Sequence, residues 1–191
     1  YYLENNKIWV NNLNKYRNLV FFYLLYQTGA RPVELLSLKL SSFNNNRTEF
    51  TIISAKWLGK SRKFEIPYKI QEFIRLYIQE TAAIDRSREL DDYFFLWAKR
   101  GRCWSYNWAR ILCNRLSKAL EDKITMYAFR RYAISLLFEL GISIPEIMHV
   151  AGHTRQSTTH RYINGTSKMT SKAVDALMKA LNNPGSLGAS Q

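Results

Sequence analysis

The sequence predicts a mainly α fold with a small antiparallel β-sheet, an α+β domain. Two observations carry that expectation: apolar residues recur at helical spacing along most of the chain, and one pair of strand-like segments flanks a Gly-Lys-Ser turn. Residues 16–27 (YRNLVFFYLLYQ) read as a buried helix, which Gly29 ends because glycine tolerates the left-handed conformation of a helix stop. Pro32 suits the first turn of a short helix from Val33 to Leu38. Residues 48–54 (TEFTIIS) are β-branched and aromatic, residues 62–66 (RKFEI) alternate, and Pro67 closes the second run. A hairpin over 48–66 with a basic tip at Gly59-Lys60-Ser61 is therefore expected.

Downstream, Ile70, Phe73, Ile74, Tyr77 and Ile78 give an amphipathic helix over 70–80. Residues 84–92 are charged and read as a connection, and 93–97 (YFFLW) as a short aromatic stretch. Helices are expected over 104–120, with Trp104, Trp108, Ile111, Leu112, Leu116 and Leu120 along it, and over 126–140, stopped by Gly141. Ser143 as cap, with Pro145 and Glu146 in the first turn, starts a short helix to Val150 that Gly152 ends. Residues 154–163 form a turn or short helix, 167–182 a last amphipathic helix, and 183–191 a tail. The apolar stripe of 167–182 is expected to dock on a neighbouring protomer or on its own core.

The length of 191 residues, 47% of them hydrophobic, fits one domain with a proper core and excludes disorder. The net charge of +13 points to a polyanionic partner. Cys103 and Cys113 sit in no CxxC or Cys/His cluster, so they read as reduced thiols of an intracellular protein. The richest apolar run, Leu19 to Leu25, is too short to span a membrane, and no segment reads as a signal peptide. The chain starts without Met and with helical character, which predicts an excised piece preceded by a further N-terminal domain.

Metal and nucleotide motifs are missing. The sequence has no HExxH, no Cys/His metal spacing and no EF-hand loop, and the Gly59-Lys60-Ser61 string lacks the second glycine a P-loop needs, Ser54 standing there instead. No cofactor or metal is expected. What remains is a set of cations and one late tyrosine: Arg31 after a helix stop, Lys56 at the hairpin, Arg130 inside a helix, His153 after Gly152, then Tyr162. Such a set suits metal-free attack on a phosphodiester. Planar arginines hold the charge that gathers on non-bridging oxygens, a lysine protonates the leaving oxygen, and a tyrosine hydroxyl is the nucleophile.

The strings Thr28-Gly29-Ala30-Arg31-Pro32-Val33-Glu34-Leu35 and Ala151-Gly152-His153, followed by Ser157-Thr158-Thr159-His160-Arg161-Tyr162, resemble the signature boxes of the tyrosine recombinase family, the integrases. The resemblance covers roughly residues 16–165, and the step from Arg130 to His153 also matches the family's spacing. It implies the catalytic-domain fold of that family over 1–166, with 167–191 as a C-terminal helix and tail and the N-terminal core-binding domain absent from this chain. It further implies a site-specific recombinase that cleaves and rejoins duplex DNA through a 3′-phosphotyrosyl bond and works as a homotetramer on DNA. The expected location is cytoplasm or nucleoid, or a host cell if the source is viral.

By the same resemblance, Arg31 and Arg130 grip the scissile phosphate, Glu34 supports them, Lys56 is the general acid, His153 hydrogen-bonds the phosphate and Tyr162 is the nucleophile. Lys60 and Lys63 lie in the same hairpin and compete with Lys56 for the acid role. Arg131 competes with Arg130, but neighbours on a helix point about 100° apart, so only one faces a given pocket. Tyr127 departs from the family, which usually has His there; this resembles integrases of archaeal viruses and plasmids and some hairpin-forming telomere resolvases. A tyrosine at that place can donate a hydrogen bond to phosphate and is also a rival nucleophile. A telomere resolvase, a type IB topoisomerase and a non-cutting DNA-binding module of the same fold are the alternative readings. Lys60, Arg62, Arg100, Arg102, Arg110, Arg115, Arg131 and Arg161 are the candidate DNA contacts, with Trp104, Tyr106 and Trp108 interleaved among the basic residues from Lys99 to Arg131.

Overall fold

The computed structural model describes residues 12–54, 60–84, 87–96, 103–163 and 171–182. Helix α1 (Asn12–Thr28) runs through the centre, with Leu19, Val20, Phe21, Leu24 and Leu25 fully buried. A helix apolar on nearly all sides is a core helix, and this one is packed by its neighbours on several faces. It stops where Thr28 Oγ1 donates back to the Leu24 carbonyl (2.6 Å) and Gly29 turns to φ +56°. Helix α2 (Pro32–Leu36) follows, shorter than expected because Ser37 takes the C-cap position.

Strands β1 (Glu49–Ile53) and β2 (Ser61–Glu65) form an antiparallel pair in the register Glu49↔Glu65, Phe50↔Phe64 and Ile52↔Arg62. Side chains alternate faces along a strand, so Arg62 shares the inward face with Phe64, which stacks on Phe50 (5.5 Å between ring centroids). Helix α3 (Tyr68–Ile84) lays Ile70, Phe73, Ile74 and Tyr77 on α1. The buried Tyr77 hydroxyl accepts from the Leu96 backbone N–H (2.7 Å), which fastens the buried segment Phe94–Leu96. That segment makes isolated bridges rather than a strand.

Trp104 is not on a helix. It lies in the core against Phe21 (4.9 Å) with the Arg17 guanidinium over its ring, and helix α4 (Tyr106–Leu120) begins after Ser105. Helix α4 buries Ala109, Leu112, Cys113 and Leu116 and turns Arg110, Arg115 and Lys118 to solvent. Helix α5 (Met126–Glu139) is capped by Thr125, whose hydroxyl accepts from the Ala128 N–H (3.0 Å). Helix α6 (Ile144–Ala151) ends at Gly152 with φ +65°, and α7 (Gln156–Ile163) follows. Helix α8 (Ser171–Asn182) buries Ala173, Val174, Leu177, Ala180 and Leu181 against α1 and α4, so its apolar stripe covers the chain's own core. Among the described residues, no helix is long and apolar enough to cross a membrane. Two cores result: a large one around α1, and a small one of Ile134, Ile147 and Ala151 with Leu137 and Tyr162 packed on it.

Candidate active site

The C-terminal end of α6 organises the site. A helix leaves its last carbonyls without intrahelical partners and carries partial negative charge there. Three successive carbonyls at this end each accept from an arginine of a different element. Arg62 Nη1 from β2 donates to Val150 O (2.8 Å) and Arg130 Nη2 from α5 to Ala151 O (2.9 Å). Arg31 Nη2, at the N-cap of α2, donates to Gly152 O (3.1 Å). Arg130 Nη1 also reaches the Gly29 carbonyl, so both helix stops that flank the site are tied to one guanidinium.

Glu34 is the single carboxylate inside this cluster among the described residues. Its Oε1 receives Arg31 Nη1 (3.1 Å), and its Oε2 receives the Arg31 backbone N–H (3.0 Å) and Arg62 Nη2 (2.7 Å). Burial alone would raise the carboxyl, but these hydrogen bonds and the two cations outweigh it and hold Glu34 below its ordinary range. Three guanidinium groups against one carboxylate leave an excess of positive charge, which is what an incoming phosphate requires.

His153 sits in that field. Burial, then the charges of Arg130, Arg31 and Arg62, lower its imidazole to about 4, with Glu34 opposing. The ring is therefore neutral near pH 7. Its Nε2 is 2.6 Å from Arg130 Nη2, and a guanidinium only donates, so Nε2 is the acceptor. That assignment puts the proton on Nδ1, which donates to Thr159 Oγ1 (2.8 Å). Tyr162 closes the cluster. Its ring stacks on His153 (5.3 Å, 21° between planes) and lies 5.6 Å from the Arg130 guanidinium carbon, while Ser135 Oγ donates to its backbone carbonyl (3.2 Å).

The expected residues fall into three groups. Arg31, Glu34, Arg130, His153 and Tyr162, from four separate elements, come together. Arg130 is 1% exposed while Arg131 faces solvent, which separates the two neighbours as helical geometry requires. Tyr127 is 47% exposed on the first turn of α5, three positions before Arg130 and so on the same side of the helix. Lys56, Arg100 and Arg102 lie outside the described residues. Lys60, Arg110, Arg115, Arg131 and Arg161 are exposed. Arg62, expected as a DNA contact, is buried and spends its donors on Glu34 and Val150 because strand alternation turns it inward. Thr159, whose hydroxyl fixes the His153 tautomer, was visible in the sequence only as part of the Thr-Thr string of the second box.

The sequence model of the phage integrase family matches residues 4–169. The chain is 32% identical over 151 residues to the TnP I resolvase of Bacillus thuringiensis, covering 79% of this chain and 51% of that protein. It is 28% identical over 169 residues to the tyrosine recombinase XerA of Pyrococcus furiosus, covering 85% of this chain and 55% of that protein. The chain thus spans about half the length of the curated relatives it matches. Its fold is similar to that of the XerH site-specific recombinase bound to palindromic difH substrate in a post-cleavage complex. The TM-score is 0.66 at 17% identity, covering 88% of this chain and 47% of that one. With the family model spanning most of its length, the chain belongs to the phage integrase family of tyrosine recombinases.

Proposed function

We propose that this chain is the catalytic domain of a site-specific recombinase that cuts and rejoins duplex DNA with Tyr162 as nucleophile. The observation that carries the reading is the convergence of Arg31, Arg130, His153 and Tyr162 at the end of α6 from positions far apart in sequence. In this reading Tyr162 Oη attacks the scissile phosphorus and gives its proton to solvent water. The bond to the 5′ oxygen breaks as a 3′-phosphotyrosyl bond forms, and Lys56 protonates the leaving oxygen. Arg31, whose guanidinium keeps a partly exposed side, and Arg130 offer preorganised charge to the non-bridging oxygens. Glu34 holds Arg31, His153 accepts from Arg130 and so holds that guanidinium in place, and Tyr127 supplies a further hydrogen bond to phosphate. The exposed Arg110, Arg115, Arg131, Arg161 and Lys60 hold the flanking backbone, and four protomers assemble on a specific recombination site.

The test is a nicked suicide substrate incubated with wild type and Tyr162→Phe in the presence of EDTA. A covalent protein–DNA adduct in wild type alone is expected. An adduct that survives in Tyr162→Phe moves the nucleophile elsewhere, Tyr127 first. No adduct in either, on DNA the protein binds, leaves a binding module. Product type then separates recombinants from sealed hairpins and relaxed circles.

A further inference from the structure

The end of α6 is held by three arginines, and the proposed reaction uses only two. Arg62 is 6% exposed on the inward face of β2, opposite Ile52. Its two terminal nitrogens diverge to different elements, Nη1 to Val150 O on α6 (2.8 Å) and Nη2 to Glu34 Oε2 on α2 (2.7 Å). Its Nε has no partner among the described residues. The guanidinium is seated against Gly152, where a Cβ would lie 2.7 Å from Nη1 and 2.9 Å from Cζ. Buried and with both terminal nitrogens engaged, the guanidinium is not explained by a phosphate contact.

We propose that Arg62 is a positioning residue, which joins the β1–β2 hairpin, Glu34 and the Val150–Gly152 turn into one unit and so fixes where Arg31 and His153 stand when phosphate arrives. This rests on the proposed cleavage activity. Glu34 shares its two oxygens between Arg31 and Arg62, and Gly152, which accepts from Arg31, directly precedes His153. Displacing Arg62 therefore frees both residues. The role asks for arginine, because a planar fork reaches two divergent acceptors and a lysine ammonium on one stem does not. Arg62 is also one of the cations that keep His153 neutral. A buried ion pair adds little net stability over an apolar replacement, so its use here is the geometry it enforces.

The full chain is compared with Arg62→Lys and Arg62→Met in single-turnover cleavage of a suicide substrate at saturating DNA. DNA affinity over a salt series and NMR titration of the His153 ring accompany it, with circular dichroism as the fold check. Expected are about 10-fold slower cleavage for Arg62→Lys and about 100-fold for Arg62→Met, with DNA affinity and its salt slope close to wild type. The His153 titration moves up in Arg62→Met and stays near wild type in Arg62→Lys, which reports the charge beside the ring; slower cleavage in Arg62→Lys, with charge, fold and DNA affinity kept, is the readout that a purely structural residue would not give. If Arg62→Met does not fold, Arg62→Lys carries the cleavage test. Wild-type cleavage rates in the folded variants overturn the proposal. A loss confined to DNA affinity with a salt slope smaller by about one also overturns it, making Arg62 a phosphate contact. If wild type itself forms no adduct, the cleavage reading fails, and an unmoved His153 titration in Arg62→Met separately overturns the placement of Arg62.

Discussion

Gly152→Ala tests the construction of the α6 end directly, and Gly141→Ala is its control. Both glycines have positive φ, +65° and +79°. An L-residue pays about 1–2 kcal/mol for that conformation, and both variants bear this cost. Both also gain the same small amount from a stiffer unfolded chain, so that term cancels in the comparison. The surroundings differ. A Cβ at Gly141 meets nothing within 4 Å, whereas one at Gly152 lies 2.7 Å from Arg62 Nη1. The end of a long side chain usually moves aside at little cost. Here it is buried and bonded on two sides, so moving it breaks a charge-assisted hydrogen bond to Val150 O or to Glu34. Each such bond contributes about 1.5–3 kcal/mol. Gly141→Ala should therefore lose about 1–2 kcal/mol, and Gly152→Ala about 2.5–5 kcal/mol, in urea unfolding monitored by circular dichroism. Equal losses in the two variants would show that Arg62 is not seated against Gly152, and the account of the α6 end would fall with it.

Three further outcomes follow from the same geometry. Thr159→Val leaves the buried His153 Nδ1 without its partner and should cost about 1–3 kcal/mol in denaturant unfolding; no loss would show that the Thr159–His153 hydrogen bond is not made. His153 is held at about 4 in the folded chain against 6.5 when unfolded, so below pH 6.5 the unfolded state binds more protons. Its contribution to stability is full above pH 6.5 and is lost as pH falls toward 4. Thermal melts at pH 7 and pH 5 should therefore differ more in wild type than in His153→Gln, and an equal difference in both refutes the assignment. Arg131→Ala removes an exposed cation and should weaken DNA binding across sequences, with the salt slope reduced by about one in fluorescence anisotropy; an unchanged slope removes Arg131 from the DNA face.

The helices were legible because their punctuation is chemical. Gly29, Gly141 and Gly152 all take the left-handed conformation at helix stops, and the Ser143 cap with Pro145 marks a start. Trp104 was misread because its spacing to Trp108 and Ile111 fits a helix. Its backbone N–H instead bonds the Phe95 carbonyl (2.9 Å), and burial against Phe21 outweighs periodicity. Residues 93–96 form no strand because Phe94, Phe95 and Leu96 are buried by side-chain packing without a continuous ladder partner. At the site, Arg31, Arg130, His153 and Tyr162 were legible through box spacing. Arg62 was not, because a basic hairpin invites a charge argument. The alternation of Arg62 with Phe64 was the signal that turned it inward.

The arrangement also explains why a fully buried arginine is tolerable at Arg130. An unpaired charge there would be strongly destabilising. Arg130 instead meets the Gly29 and Ala151 carbonyls and a neutral imidazole nitrogen, all of them acceptors, two of them at helix ends, where carbonyls lack intrahelical donors. The imidazole is an acceptor because it is neutral, and it is neutral because it is buried among cations. The parts therefore depend on one another: the arginines set the protonation of His153, and neutral His153 in turn accepts from Arg130. A phosphodiester brought to this cluster adds one negative charge beside those cations. By Coulomb's law it partly offsets their effect on His153, so the ring gains basicity as DNA docks.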